Sequence, residues 1–284
     1  MQTALLRQHA RKILEEQEVG CVIGYSVSPR NRTRPEFVYQ VEDVDRLTLN
    51  QHMTHNLTRY LREKQKDFNP ADKIGVVLKP CDSKALNVLI AENKIDRNRV
   101  YIIGVSCNGV FSDDRETEMQ ARCLGCSMDK PLVYDYFVEN DNSHPAYSQD
   151  YEMSSIEIED IDRYLPLEKA VFWNEQFDRC IRCYACRQAC PICDCPTCIY
   201  ERDDSLWIGA GNSIQEKRAF HLGRAFHLAG RCVGCNACED ACPVDIPIRL
   251  LNQKITQYMA VQFGFEAGKQ ISLSPLVTAL GEKG

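Results

Sequence analysis

Two cysteine runs constrain this chain more than any other feature. The first reads RCIRCYACRQACPICDCPTC and places Cys180, Cys183, Cys186, Cys190, Cys193, Cys195 and Cys198. The second reads RCVGCNACEDACP, with Cys232, Cys235, Cys238 and Cys242. Each opens as C-x2-C-x2-C-x3-C-P. Three thiolates at that spacing wrap one 4Fe–4S cubane while its sulfides accept backbone N–H bonds. The fourth cysteine is expected to start a helical segment leading to a second cubane, and the proline turns the chain away. One such run alone would also suit zinc. Two intact runs, each closed by Cys-Pro, point to a pair of 4Fe–4S clusters.

Sixteen cysteines would suggest disulfides in a secreted chain. Here they sit at metal spacings, and MQTALLRQHARKILEEQE reads as an amphipathic helix, not as a leader. The expected setting is a reducing cytoplasm under low oxygen. No apolar run approaches the ~18 residues of a bilayer span. A net charge of −6 argues against nucleic acid as the partner. The 284 residues suffice for two domains with ordinary cores.

The first half reads as α/β. Residues 3–18 have helical periodicity, and CVIGYSV after Gly20 reads as a strand with Cys21 in its core. SPRNRTRPEF reads as a basic loop in which Arg30, Arg32 and Arg34 alternate. Such a loop would suit a flavin or dinucleotide phosphate, an acidic partner, or plain solvent. Residues 45–67 read as helical, with Leu57, Tyr60 and Leu61 on one face. IGVVL, DSKALNVLIAEN and VYIIGVS then form a parallel βαβ unit, with Asp82 or Ser83 as helix N-cap and Ala85, Leu86, Leu89 and Ile90 buried.

Cys81 and Cys107 follow those two strands, at the sheet edge where open α/β folds bind ligands. Cys123 and Cys126 arrive as another C-x2-C. The four would hold a third 4Fe–4S cluster; zinc or a dithiol pair is the alternative. Tyr134, Tyr136 and Phe137 are expected to close the core. The acidic stretch 139–162 lacks Lys and Arg and reads as a surface connection. The expected domains are therefore an α/β domain over 1–164, a mainly helical domain over 165–262 and a tail over 263–284.

In the helical half, a two-cluster ferredoxin crosses its ligands. Cys180, Cys183, Cys186 and Cys242 would take one cluster; Cys232, Cys235, Cys238 and Cys190 the other. SIQEKRAFHLGRAFHLAG reads as a helix, with Ile214, Ala219, Phe220, Leu222, Phe226 and Leu228 along it. His221 and His227 read as ordinary core or surface histidines. A second helix follows Pro243. Cys193, Cys195 and Cys198 are spare. They would bind a further metal, or Cys193 would replace Cys190.

The stretch KPCDSKALNVLIAENKIDRNRVYIIGVSCNG resembles the N-terminal domain of the deazaflavin-dependent hydrogenase and formate dehydrogenase beta-subunit family, over about 70–130. The cysteine half is similar to the helical ferredoxins of heterodisulfide reductase small subunits and succinate dehydrogenase iron–sulfur subunits. The combination implies an electron-transfer subunit of an anaerobic complex. Its expected partners are a heterodisulfide-reductase-like flavoprotein and a tungsten, molybdenum or hydrogenase-type subunit. A second implied function is hydride exchange with a deazaflavin or nicotinamide through bound FAD or FMN, using Arg30, Arg32 and Arg34. No Gly-rich phosphate loop accompanies it: Gly104 and Gly109 are isolated. Nothing points to acid–base or nucleophilic catalysis.

Overall fold

A computed structural model describes residues 2–28, 32–69, 72–111, 119–124, 126–139, 157–202, 204 and 208–277. Arg30 and most of the acidic stretch lie outside the described residues. The chain divides into two compact units: Met1–Glu152 with Gly268–Leu273, and Met153–Ala267 with Ser274–Gly284. Among the described residues no helix is long and apolar enough to cross a membrane.

The first unit is built on one sheet. Helix α1 (Gln2–Glu15) buries Leu6, Ala10, Ile13 and Leu14, the stripe its periodicity requires. Strand β1 (Cys21–Val27) pairs antiparallel with β2 (Thr33–Val38) and parallel with β3 (Ile74–Leu78). Helix α2 (Thr58–Asp67) precedes β3, and α3 (Pro80–Ala91) follows it. Strand β4 (Val100–Val105) lies parallel to β3, and β5 (Tyr136–Val138) parallel to β4. The order is β2-β1-β3-β4-β5. All five residues of β3 are buried, as an apolar run in a central parallel strand must be. The expected βαβ unit is present, with Ile74 opposite Val100 and Leu78 opposite Gly104. Cys21 is a core residue of β1, and burial pushes its thiol up to about 12.

Four local expectations are corrected. Arg34 lies in β2, not in a loop, because Thr33–Val38 returns along β1 as a hairpin. The helix expected over 45–67 starts only at Thr58. Upstream, the Asn50 and Asn56 side chains accept from the backbone N–H of His52 (2.9 Å) and Thr58 (3.1 Å), which competes with helical bonding. Helix α3 starts before Asp82: Pro80 at its first turn has the pre-set φ, and Lys79 is the extended N-cap. Tyr134 does not close the core. It is 45% exposed and packs on Phe137 at 5.2 Å, while Tyr136 stacks on His9 at 3.5 Å.

Part of the expected tail, Gly268–Leu273, belongs to the first unit. The Asn87 side-chain amide of α3 donates to the Gly268 carbonyl at 2.9 Å. Gly268 has φ +75°, and a Cβ there would lie 2.7 Å from the Lys84 carbonyl carbon. Only glycine passes at that approach.

The second unit is helical; its described residues contain no strand. It comprises α4 (Ile158–Arg163), α5 (Pro166–Asp178), α6 (Ala185–Ala189), α7 (Ile214–His227), α8 (Ala237–Asp240) and α9 (Ile248–Phe263). Helix α4 forms inside the stretch read as a surface connection, because Ile158 and Ile161 are buried against Leu250. Helix α7 starts in a capping box: Ser213 accepts from the Glu216 N–H at 3.3 Å, and the Glu216 carboxylate accepts from the Ser213 N–H at 3.1 Å. Gly264 ends α9 at φ +59°. The apolar row expected to anchor α7 is split. Phe220 and Leu228 are buried, whereas Phe226 is 69% exposed. The inward places go to Lys217, His221 and Arg224.

Candidate iron–sulfur sites

The two C-x2-C-x2-C loops share one backbone. In the first, Arg182 and Tyr184 have φ of 55° and 58°. At the equivalent places of the second, Gly234 and Asn236 have 68° and 53°. Left-handed kinks of this kind curl the chain so that successive thiols and N–H groups face one point. Tyr184 and Asn236 cap the short helices α6 and α8, which pack on each other. These helices precede the fourth cysteine of each run. The expected helix after it is absent: Cys190 terminates α6 in an extended conformation, and turns follow both Cys190 and Cys242.

The fourth cysteine of each run lies near thiols of the other run: Cys242 near Cys180 and Cys186, and Cys190 near Cys232 and Cys238. Burial pushes Cys186 up to about 11; Cys180, Cys242 and Cys183 add to this, and Arg224 opposes it. Cys180 is raised by burial and then by Cys242 and Cys183. Cys238 is raised by burial, with Cys190, Cys232 and Cys235 as its thiol neighbours. Cys232 is pushed up to about 11, again by burial first and then by Cys190. Backbone N–H groups already aim at sulfur: Arg182 at Cys180 (3.3 Å) and Ile246 at Cys242 (3.4 Å). The Asn252 amide lies 3.8 Å from the Cys238 sulfur. A cavity of about 350 Å³ opens on Cys190, Cys232, Cys235 and Cys238, with Arg224 and Arg249 in its wall. Among the described residues no three of these side chains lie close enough to hold a single metal ion. An all-thiolate set of four, mostly buried, has the chemistry of a cubane, whose bulk holds its ligands apart and whose cationic iron core offsets the cost of the thiolates.

The first unit gathers its own thiols at the C-terminal edge of the sheet. Cys81 opens α3 after β3, and Cys107 follows β4. The loop beyond Cys107 folds back: Gln120 N–H donates to the Val110 carbonyl at 2.8 Å, which brings Cys123 to Cys107. Burial raises the pKa of all three, Cys81 most. Cys107 is a neighbour of Cys81 and of Cys123, and Cys126 of Cys123. Directly behind Cys81 lies a fully buried ion pair, Lys79 Nζ to Asp82 Oδ2 at 2.8 Å. Lys79 also donates to the His55 carbonyl (2.8 Å) and to the Tyr25 hydroxyl.

Comparison with known proteins matches both halves. Residues 175–246 match the 4Fe-4S dicluster domain. Residues 71–202 match the family described as the C terminus of the coenzyme F420 hydrogenase/dehydrogenase beta subunit. The chain joins a coenzyme F420 hydrogenase/dehydrogenase beta-subunit domain to a 4Fe-4S dicluster domain. The beta-subunit match is to that family's C-terminal region and reaches residue 202, farther than the KPCD segment suggested. The chain is 23% identical to the F420-dependent formate dehydrogenase subunit beta of Methanocaldococcus jannaschii, over 78% of each chain. It is 32% identical to the F420-dependent formate dehydrogenase 1 subunit beta of Methanococcus maripaludis, over 38% of this chain and 26% of that one.

Within the dicluster domain the spare thiols do not converge. Cys193 hydrogen-bonds Cys190, and that bond lowers the Cys190 pKa. Cys198 packs with the core that holds Cys180, Cys186 and Cys242, and Cys195 is exposed. In the first unit, Arg32 is exposed. Arg34 donates to Ser26 Oγ at 3.2 Å and lies 3.6 Å from Glu36, so its charge is already compensated.

Sequence reasoning passed over the charged residues of the dicluster core. Arg182, Arg187, Arg224 and Arg249 are all under 10% exposed. An arginine inside an apolar pattern has no periodic signature. The one available cue was their density beside the cysteines.

His221 is 3% exposed, stacked on Phe177 at 5.0 Å, with no partner on either ring nitrogen. Burial, then Arg224 and Arg182, lower its pKa to about 4. The unfolded imidazole takes its proton near 6.5, so the unfolded state binds more protons between those values. Stability is therefore lost as pH falls from about 6.5 to about 4, with about 2 kcal/mol gone by pH 5. The urea midpoint of the cluster-loaded protein at pH 7 and pH 5 measures this. His221→Phe should flatten that part of the profile; an unchanged profile in the variant would remove His221 as its cause.

Proposed function

We propose that the chain is the iron–sulfur electron-transfer subunit of a complex similar to F420-dependent formate dehydrogenase. The observation that carries this reading is the matched pair of cysteine loops, each with its fourth cysteine near thiols of the other. In this reading Cys180, Cys183, Cys186 and Cys242 hold one cluster, and Cys190, Cys232, Cys235 and Cys238 the other. A third cluster sits on Cys81, Cys107, Cys123 and Cys126 in the first unit. The clusters supply one-electron chemistry. The protein supplies thiolate ligands, N–H bonds to sulfur and a dry enclosure. Electrons pass between a flavoprotein of the heterodisulfide-reductase kind and a catalytic or donor subunit of the hydrogenase, tungsten or molybdenum kind, in a reducing cytoplasm.

The test is iron and acid-labile sulfide per chain after anaerobic purification. About 12 irons are expected. About 8 would remove the third cluster, and zinc at the strand-edge cysteines would replace it. Fewer than about 8, with normal folding, would overturn the dicluster assignment itself.

A second reading is favoured by the names of the relatives, both F420-dependent. Here the first unit binds FAD or FMN, exchanges hydride with a deazaflavin or nicotinamide, and uses the clusters as outlet. Flavin released from the purified chain would support it. Failure to reduce any soluble hydride acceptor with flavin added would sink it.

A further inference from the structure

Among the described residues Arg224 is a buried charge with no carboxylate partner; its side-chain neighbours are thiols, Cys193 by a hydrogen bond. It is 5% exposed and lines the cavity that opens on Cys190, Cys232, Cys235 and Cys238. One guanidinium nitrogen donates to the Cys186 carbonyl at 2.9 Å, and Nε has no hydrogen-bond partner. Among the described residues no carboxylate forms an ion pair with it. Its electrostatic neighbours are Cys190, Cys238, Cys193 and Cys186.

Three other arginines around the cysteines have carboxylate partners, while Arg182 bonds the Tyr184 hydroxyl and the Tyr200 carbonyl and lines no cavity beside Cys190. Arg187 meets Glu201 at 3.2 Å, Arg231 meets Asp194 at 3.3 Å, and Arg249 meets Glu157 and Glu239 at 3.2 and 3.0 Å. Guanidinium does not shed its proton in a protein, and a buried unpaired charge costs several kcal/mol. Something anionic must therefore complete this site. A cubane on four thiolates is a net anion, and its reduced form carries one more negative charge than its oxidised form.

We propose that Arg224 is the built-in counter-charge of the cluster held by Cys190, Cys232, Cys235 and Cys238, and that it raises this cluster's reduction potential. The assignment rests on the ligand sets proposed above. Attraction to a fixed cation grows as the cluster gains an electron, so the reduced form is favoured. The Cys186 carbonyl holds the guanidinium at the wall between the two cysteine loops, and the cluster on Cys180, Cys183, Cys186 and Cys242 feels it less.

The experiment is an anaerobic redox titration of the full chain, monitored by electron paramagnetic resonance, in wild type, Arg224→Met and Arg224→Lys, with iron counted in each. In Arg224→Met the reduction equilibrium of one cluster should fall at least tenfold, about 59 mV for one electron. Arg224→Lys should keep most of the wild-type value. Full iron with unchanged potentials in Arg224→Met overturns the proposal and leaves the ligand sets standing. If Arg224→Met fails to hold iron, Arg224→Lys decides. Full iron and a near-native potential there support a charge role; failure of both variants alike shows a packing role and overturns it. Wild-type iron below about 8 is the separate failure of the ligand assignment.

Discussion

Lys79→Met is expected to cost the protein about 3–5 kcal/mol, a large part of the stability of an ordinary domain. Both side chains of the Lys79–Asp82 pair are 0% exposed. Removing the ammonium leaves a carboxylate inside the protein with no cation, and strips a donor from the His55 carbonyl. The Tyr25 hydroxyl still donates to that carbonyl at 2.6 Å, so the carbonyl is not orphaned. The loss is therefore mainly the stranded charge of Asp82. Urea unfolding measures it, and Lys79→Met/Asp82→Asn should recover more than half. No recovery in the double variant would assign the cost to packing around the lysine stem. Because Asp82 directly follows Cys81, the single variant should also lose whatever metal the strand-edge cysteines hold, ahead of the dicluster iron.

Arg249→Met should be milder, near the lower end of that range at about 3 kcal/mol. Arg249 is 2% exposed at its side chain, but Glu157 and Glu239 are 22% and 26% exposed, so water takes over part of their solvation. The more informative readout is kinetic. Glu239 follows Cys238 and is tied to Arg249 at both the side chain (3.0 Å) and the backbone N–H (3.1 Å). Freed from it, the loop around Cys238 opens more often. Bleaching of the cluster absorbance by a strong chelator should then speed up severalfold. Bleaching at the wild-type rate would show that Arg249 guards the fold and not the cluster.

What the sequence made legible follows from range. Ligand spacing is local, so Cys180 to Cys190 and Cys232 to Cys242 announced themselves. So did β3 and β4, whose apolar runs need no distant partner to be read as buried. Partnerships across the chain were not legible. Arg249 and Glu157 are 92 residues apart, and neither departs from a solvated pattern until the fold joins them. Helix α7 misled for the same reason. Its apolar Leu222 and Phe226 face outward because the inward places belong to Lys217, which bonds the Asp178 carbonyl, His221, which stacks on Phe177, and Arg224, which bonds the Cys186 carbonyl. The start of α2 was lost to two asparagine side chains that bond their own backbone, a choice periodicity does not register.

The bond between Asn87 and Gly268 fixes an order of events in the making of this protein. The ribosome emits α3 long before the glycine that will lie against it, and Met153–Ala267 of the cysteine-rich unit is synthesised in between. At about 5–20 residues per second, that interval is on the order of ten seconds or more. During it, the first unit has its strands but lacks its last segment. Iron delivered in that window meets a first unit whose α3 is not yet covered by Gly268. Closing so long a loop adds little entropy beyond that of a shorter one, since each doubling costs only about 0.6 kcal/mol. The arrangement is thus inexpensive in stability and slow only in time, and it makes the final seal on the first unit a late step, taken after residues 153–267 have been synthesised.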